Sequence, residues 1–165
     1  LIRLMAPVLT FTAEEIWQIL TKNPDDSVML ATWHALPEQA QESVLLARWQ
    51  QIREVRAEVS KVLEELRVAG KIGSSLQAEV EIRAAGESHD ILASLGDDLR
   101  FVTITSAARV EQGDVLAIAV NPSGGEKCER CWHWRSDVGE DAAHPTLCGR
   151  CVANLHGASE PRMHA

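Results

Sequence analysis

Four cysteines constrain this chain more than any other feature. Cys128-Glu129-Arg130-Cys131 is followed, after sixteen residues, by Cys148-Gly149-Arg150-Cys151. Two residues between cysteines let a tight turn aim both sulfurs at one point. Two such turns supply the corners of a tetrahedron with metal–sulfur distances of about 2.3 Å. The spacing predicts one structural Zn2+ per chain, held by Cys128, Cys131, Cys148 and Cys151, with no open position for a reacting water. His133 and His144 are the other donors nearby, but four sulfurs already close the shell. The competing readings are two disulfides, which need an oxidising compartment, and a redox CxxC, which opens a helix in a βαβ setting. The flanking sequence shows neither an export signal nor that setting.

Charge separates this segment from the rest. Lys plus Arg number 16 and Asp plus Glu 24, a net charge of −8. Residues 127–165 hold five bases and five acids, so residues 1–126 carry the whole excess. A generally basic nucleic-acid binder is therefore disfavoured, and contact with nucleic acid needs a local patch. The cysteine segment offers one. Lys127, Arg130, Arg135 and Arg150 surround the knuckles, with Trp132 and Trp134 between them. Aromatics among bases suit stacking on unpaired RNA bases and pairing with phosphates. The other reading makes Trp132 or Trp134 the cover of the metal site, because so small a unit has little else to bury. No apolar run approaches the roughly 18 residues needed to span a bilayer.

Before the cysteines the pattern changes twice. Leu1–Leu20 is helical and broken at Pro7. Thr12 with Glu15 fits a capping box, and Phe11 with Ile16 a hydrophobic staple. Val28–Trp33 reads as a short extended piece. Ser43–Ala69 carries an apolar stripe through Leu45, Trp49, Ile52, Val59, Leu63 and Leu66, stopped by Gly70, and is expected to pack on the Leu1–Leu20 helix. Leu76–Ala84 alternates apolar and polar residues as a half-buried strand does. A short helix over Ser88–Leu95 and strands over Phe101–Thr105 and Val115–Val120 follow. Trp17, Trp33 and Trp49 are expected in the core. Asn121-Pro122-Ser123-Gly124-Gly125 reads as a linker. The fold class is α+β, divided into a helical region (1–72), a small α+β junction (73–121) and a zinc finger (122–165). The chain opens at Leu1 in helix-like sequence, so it is expected to be part of a longer protein. No P-loop, GxGxxG, HExxH or GxSxG motif is present, and nothing assembles a catalytic centre.

Three stretches carry a family resemblance. Leu4-Met5-Ala6-Pro7-Val8-Leu9-Thr10-Phe11-Thr12-Ala13-Glu14-Glu15-Ile16-Trp17 resembles the helical anticodon-binding domain of class I aminoacyl-tRNA synthetases, with Thr10 where many members have Pro. Lys71-Ile72-Gly73-Ser74-Ser75-Leu76-Gln77-Ala78 is similar to the isoleucyl branch. Gly125–Trp134 with Cys148–Leu155 resembles the terminal zinc finger of the bacterial isoleucyl-tRNA synthetases. The resemblance implies a cytoplasmic, monomeric, ATP-dependent ligase that joins isoleucine to its tRNA. Its ATP and Mg2+ sites and editing domain would lie upstream. This chain would bind the anticodon-stem region of the tRNA and hold no catalytic residue. The expected RNA contacts are Lys127, Arg130, Trp132, Arg135 and Arg150, with Arg48, Arg53 and Arg56 as the fallback. The finger alone is shared with DNA-repair glycosylases, whose finger binds duplex DNA; these are the alternative.

Overall fold

The computed structural model describes residues 1–38 and 40–160. The end of the expected finger, including Arg162, lies outside the described residues. The chain forms two compact units, Leu1–Glu42 and Ser43–Ala165. Together they are α+β.

The first unit is built by helices α1 (Ile2–Met5) and α2 (Thr10–Thr21) and a 3-10 turn at Val28–Leu30. Pro7 falls in the break between the helices, since proline supplies no amide to continue a helical ladder. Ala6, Ala13 and Val28 form a small core with Ile2, Met5 and Trp17 packed against it. Glu14 fastens the turn: its Oε2 accepts from Ser27 Oγ and from the Val28 amide, both at 2.9 Å. The expected capping box does not form. α2 begins three residues earlier, at Thr10, with Leu9 rather than Thr12 at its cap and no side-chain cap bond. Phe11 is 90% exposed, so there is no staple either. Val28–Trp33 is a turn and irregular chain, not a strand, because Ser27 Oγ accepts the Met29 amide and curls the backbone. Trp33 is exposed rather than buried.

The second unit opens with α3 (Glu42–Val68), close to the helix read from the stripe. It buries Ile52, Val55, Val59 and Leu63, positions three and four apart on one face. Gly70 follows with φ +69°, the left-handed conformation that a helix stop requires. The buried face of α3 packs on the sheet of its own unit, in one core with Ile72, Val80, Ile82, Leu92 and Leu99.

That sheet has the order β2-β1-β3, from β1 (Ala78–Ala84), β2 (Ala107–Gln112) and β3 (Ala117–Pro122). β1 runs parallel to β2 and antiparallel to β3. It buries Ala78, Val80, Ile82 and Ala84 and turns Glu81 and Arg83 outward, as alternation requires. The β1–β2 crossover holds α4 (Gly86–Ala93) and α5 (Leu99–Thr103). Phe101–Thr105, expected as a strand, is mostly this second helix. Leu99 and Thr103 are both buried one helical turn apart, and Thr103 Oγ1 donates to the Leu99 carbonyl at 3.1 Å. Arg56 Nε donates to the Val102 carbonyl at 2.8 Å, and Arg48 bonds Ser94, so two arginines of α3 are committed to its neighbours. No helix among the described residues is long and apolar enough to cross a membrane.

The chain then passes through β4 (Glu126–Lys127), paired antiparallel with β5 (Trp134–Arg135), and ends in α6 (Gly149–His156).

Candidate metal centre and nucleic-acid interface

Each cysteine pair is shaped by its own backbone. In the first, the Trp132 amide donates to the Cys128 carbonyl and the Cys128 amide to the His133 carbonyl, both at 2.9 Å. The loop closes only because Trp132 takes φ +66°. In the second, Cys148 caps α6, which places Cys151 in the first helical turn. Asp137 holds that turn from outside: its Oδ2 accepts the Gly149 amide at 3.1 Å. The two pairs meet. All four sulfurs lie within 4.8 Å of one another, and Cys128, Cys148 and Cys151 are fully buried. Cys131 Sγ and Cys148 Sγ are 3.7 Å apart. A tetrahedron with metal–sulfur bonds of about 2.3 Å has an edge of about 3.8 Å, so the donor set fits zinc and is far too open for a disulfide.

The sulfurs differ electrostatically. Burial opposes ionisation of Cys128, but amide donors from Cys131, Cys148 and Arg130 outweigh it and bring the thiol down to about 6. Burial pushes the Cys131 and Cys148 thiols up. For Cys131 and Cys148, a bound cation would supply what holds them as thiolates. Arg130 Nη1 already donates to Cys151 Sγ at 3.6 Å. His133 and His144 stand outside the sulfur cluster. Burial, reinforced by Arg100, Arg150 and Arg135, lowers the His133 pKa. His144 stacks on His156 with ring centroids 3.9 Å apart.

The bases expected to meet RNA fall into two groups. Lys127, Arg130 and Trp132 are exposed. Trp132 is 59% exposed, with the Lys127 ammonium 4.6 Å from its ring centre and its Nε1 donating to the Glu129 carbonyl. This is an open aromatic platform with a cation beside it. Trp134 is half-buried, and its amide donates to Ser106 Oγ of the α+β body at 2.6 Å. Arg135 and Arg150 face inward. Arg135 pairs with Asp137 at 3.4 Å. Arg150 Nε donates to both carboxylate oxygens of Glu160, at 2.8 and 2.7 Å, and its guanidinium lies 4.8 Å from the Phe101 ring centre. Neither Phe101 nor Arg100 was singled out by sequence reasoning. Both approach the finger only through contacts spanning dozens of residues, which leave no local signal.

Comparison with known proteins places these elements. Residues 1–82 match the family described as the anticodon-binding domain of tRNA ligase, and residues 125–154 the zinc finger found in FPG and IleRS. The chain is 55% identical over 174 residues to an isoleucine–tRNA ligase of Bordetella pertussis, covering all of this chain and 18% of that protein. It is 57% identical over 166 residues to one of Aromatoleum aromaticum, covering 99% of this chain and again 18% of the relative. A third, of Dechloromonas aromatica, is 56% identical over 161 residues. The chain thus spans less than a fifth of the curated relatives it matches, in their C-terminal part.

Proposed function

We propose, starting from a chain that belongs over residues 1–82 to the anticodon-binding domains of tRNA ligases and over residues 125–154 to the zinc fingers found in FPG and IleRS, that it is the tRNA-binding end of an isoleucine–tRNA ligase. The observation that carries this reading is the conjunction of both modules in one chain with more than half identity along its full length to such ligases. In the whole protein the reaction is the ATP- and Mg2+-dependent joining of isoleucine to its tRNA in the cytoplasm, by a monomer. The parts that perform it lie outside this chain. We assign residues 1–72 to anticodon binding, residues 73–121 to a junction that carries the finger, and residues 122–165 to the finger itself. Cys128, Cys131, Cys148 and Cys151 hold one structural Zn2+, which locks the knuckles and does no chemistry of its own.

RNA meets the exposed face of the finger. Trp132 stacks on an unpaired base, and Lys127 and Arg130 neutralise the flanking phosphates. Arg135 and Arg150 add positive field from behind, with their guanidiniums engaged by Asp137 and Glu160. The glycosylase alternative makes the same finger a duplex-DNA reader; a sheet-bearing junction and an anticodon-binding domain ahead of it favour the ligase. Competition binding separates the two. Labelled tRNA for isoleucine should be displaced by the same unlabelled tRNA and not by an equal mass of duplex DNA. Preferential displacement by duplex DNA would reverse the assignment.

A further inference from the structure

Arg100 is an anomaly. It sits in α5 with a side chain only 6% exposed, yet among the described residues its Nε and Nη1 have no hydrogen-bond partner. Asp97 Oδ2 lies 2.7 Å from Nη1 as an ion pair without hydrogen-bond alignment, and Asp97 is itself 75% exposed, so water weakens that pair. An arginine left so in the interior is costly unless other charge compensates it. Hydration does not compensate it: the void that Arg100 lines together with Arg150, His133, Cys131 and Cys148 has no room for a water molecule.

The neighbours make matters worse before they make them better. The Arg100 guanidinium lies 4.7 Å from the Phe101 ring centre, and Arg150 lies 4.8 Å from the same ring. Burial disfavours the charge on Arg100, and Arg135 and Arg150 add to that, while Asp97 and Glu160 oppose it. Arg150 is matched by Glu160 and Arg135 by Asp137. Among the residues that line the void itself, Cys131 and Cys148 are those able to carry negative charge. Four thiolates around a divalent ion leave a dianion, and Arg130 donates to it through Cys151. We propose that Arg100 is a positioning residue of the metal centre: a buried counter-charge, supplied by the α+β body, that couples retention of the metal to docking of the finger. The inference rests on the reading that the four cysteines hold zinc.

Zinc competition titrations on the full 165-residue chain test it, with a chromogenic chelator as competitor. The wild type should hold one equivalent. Arg100→Met, which keeps the packing and removes the charge, should weaken zinc by about 10- to 100-fold, as loss of an outer-shell partner does. Arg100→Lys should recover most of that loss. Equal losses in the Met and Lys variants would show that shape and not charge matters, and would overturn the proposal. So would wild-type affinity in Arg100→Met. If the Met variant does not fold, Arg100→Gln must show the charge-dependent loss; a Gln variant with wild-type affinity overturns the proposal as well. A wild type that holds no zinc removes the metal centre itself, and this inference with it.

Discussion

Ser106→Ala is the most informative small perturbation of the junction between the finger and the α+β body. Ser106 is 1% exposed. Its hydroxyl donates to the Leu76 carbonyl, just ahead of β1, and accepts the Trp134 amide of β5 at 2.6 Å. One oxygen thus joins the sheet to the finger. The backbone amide of Ser106 bonds the Ala78 carbonyl and is untouched by the substitution. Alanine leaves one amide and one carbonyl short of a partner beside a buried side chain. Each costs about 1–3 kcal/mol, and the carbonyl falls at the low end because it has a second lone pair, so the expected loss is about 2–4 kcal/mol. At roughly 4 °C per kcal/mol for a unit of this size, the second unit should melt about 8–16 °C lower. Thermal unfolding followed by circular dichroism gives the first number, and hydrogen exchange at the Trp134 amide shows whether the loss is local. Ser136→Ala, at an exposed position, is the control and should stay within about 0.5 kcal/mol. A Ser106→Ala protein that melts within 2 °C of wild type (roughly the noise of such scans, about 0.5 kcal/mol), with unchanged Trp134 exchange, would refute the view that this hydroxyl fastens the finger.

Other consequences are as direct. Gly125→Ala should break the β4–β5 ribbon and lower zinc retention, because a Cβ there would lie 2.6 Å from the Arg135 carbonyl carbon; wild-type zinc content and melting would contradict this close approach. Chelation of the metal, or Cys148→Ser, should release amide protection over residues 126–156 while β1 stays protected, and loss of β1 protection at the same chelator concentration would mean that the finger is not separable from the sheet. ATP–pyrophosphate exchange with isoleucine should stay at background for this chain free of host enzyme, and exchange above background would place catalytic residues within it.

What the sequence made legible depends on how local each signal is. The cysteine cluster could be read because each CxxC pair carries its spacing within four residues, while the meeting of the pairs is long-range. β1 could be read because one-sided burial imposes alternation from Ala78 to Ala84. α3 could be read from its stripe, but not its partner, since an apolar face does not say whether a helix or a sheet will cover it. Val102 and Thr103 have strand propensity, and that misled the reading of α5. There the burial of Leu99 and Thr103 one turn apart overrides propensity. β2 went unseen because Ala107-Ala108-Arg109-Val110-Glu111-Gln112 lies at a sheet edge, where burial is too shallow to imprint a clear pattern. The roles of Arg100, Phe101 and Arg150 were hidden for a different reason. A basic residue beside a knuckle looks the same in sequence whether it faces phosphate or is paired with Glu160.

The central claim is that RNA meets the exposed face of the finger, at Lys127, Arg130 and Trp132. The most direct measurement is the salt dependence of binding to tRNA for isoleucine, for the wild type and for Lys127→Ala/Arg130→Ala, with zinc quantified in each sample. Each lost phosphate contact lowers the slope of log affinity against log salt by about 0.7–0.9, so the double variant should bind more weakly with a slope shallower by about 1.4–1.8. If the double variant keeps one zinc together with wild-type affinity and slope, the finger is a structural cap and tRNA is held elsewhere on the chain.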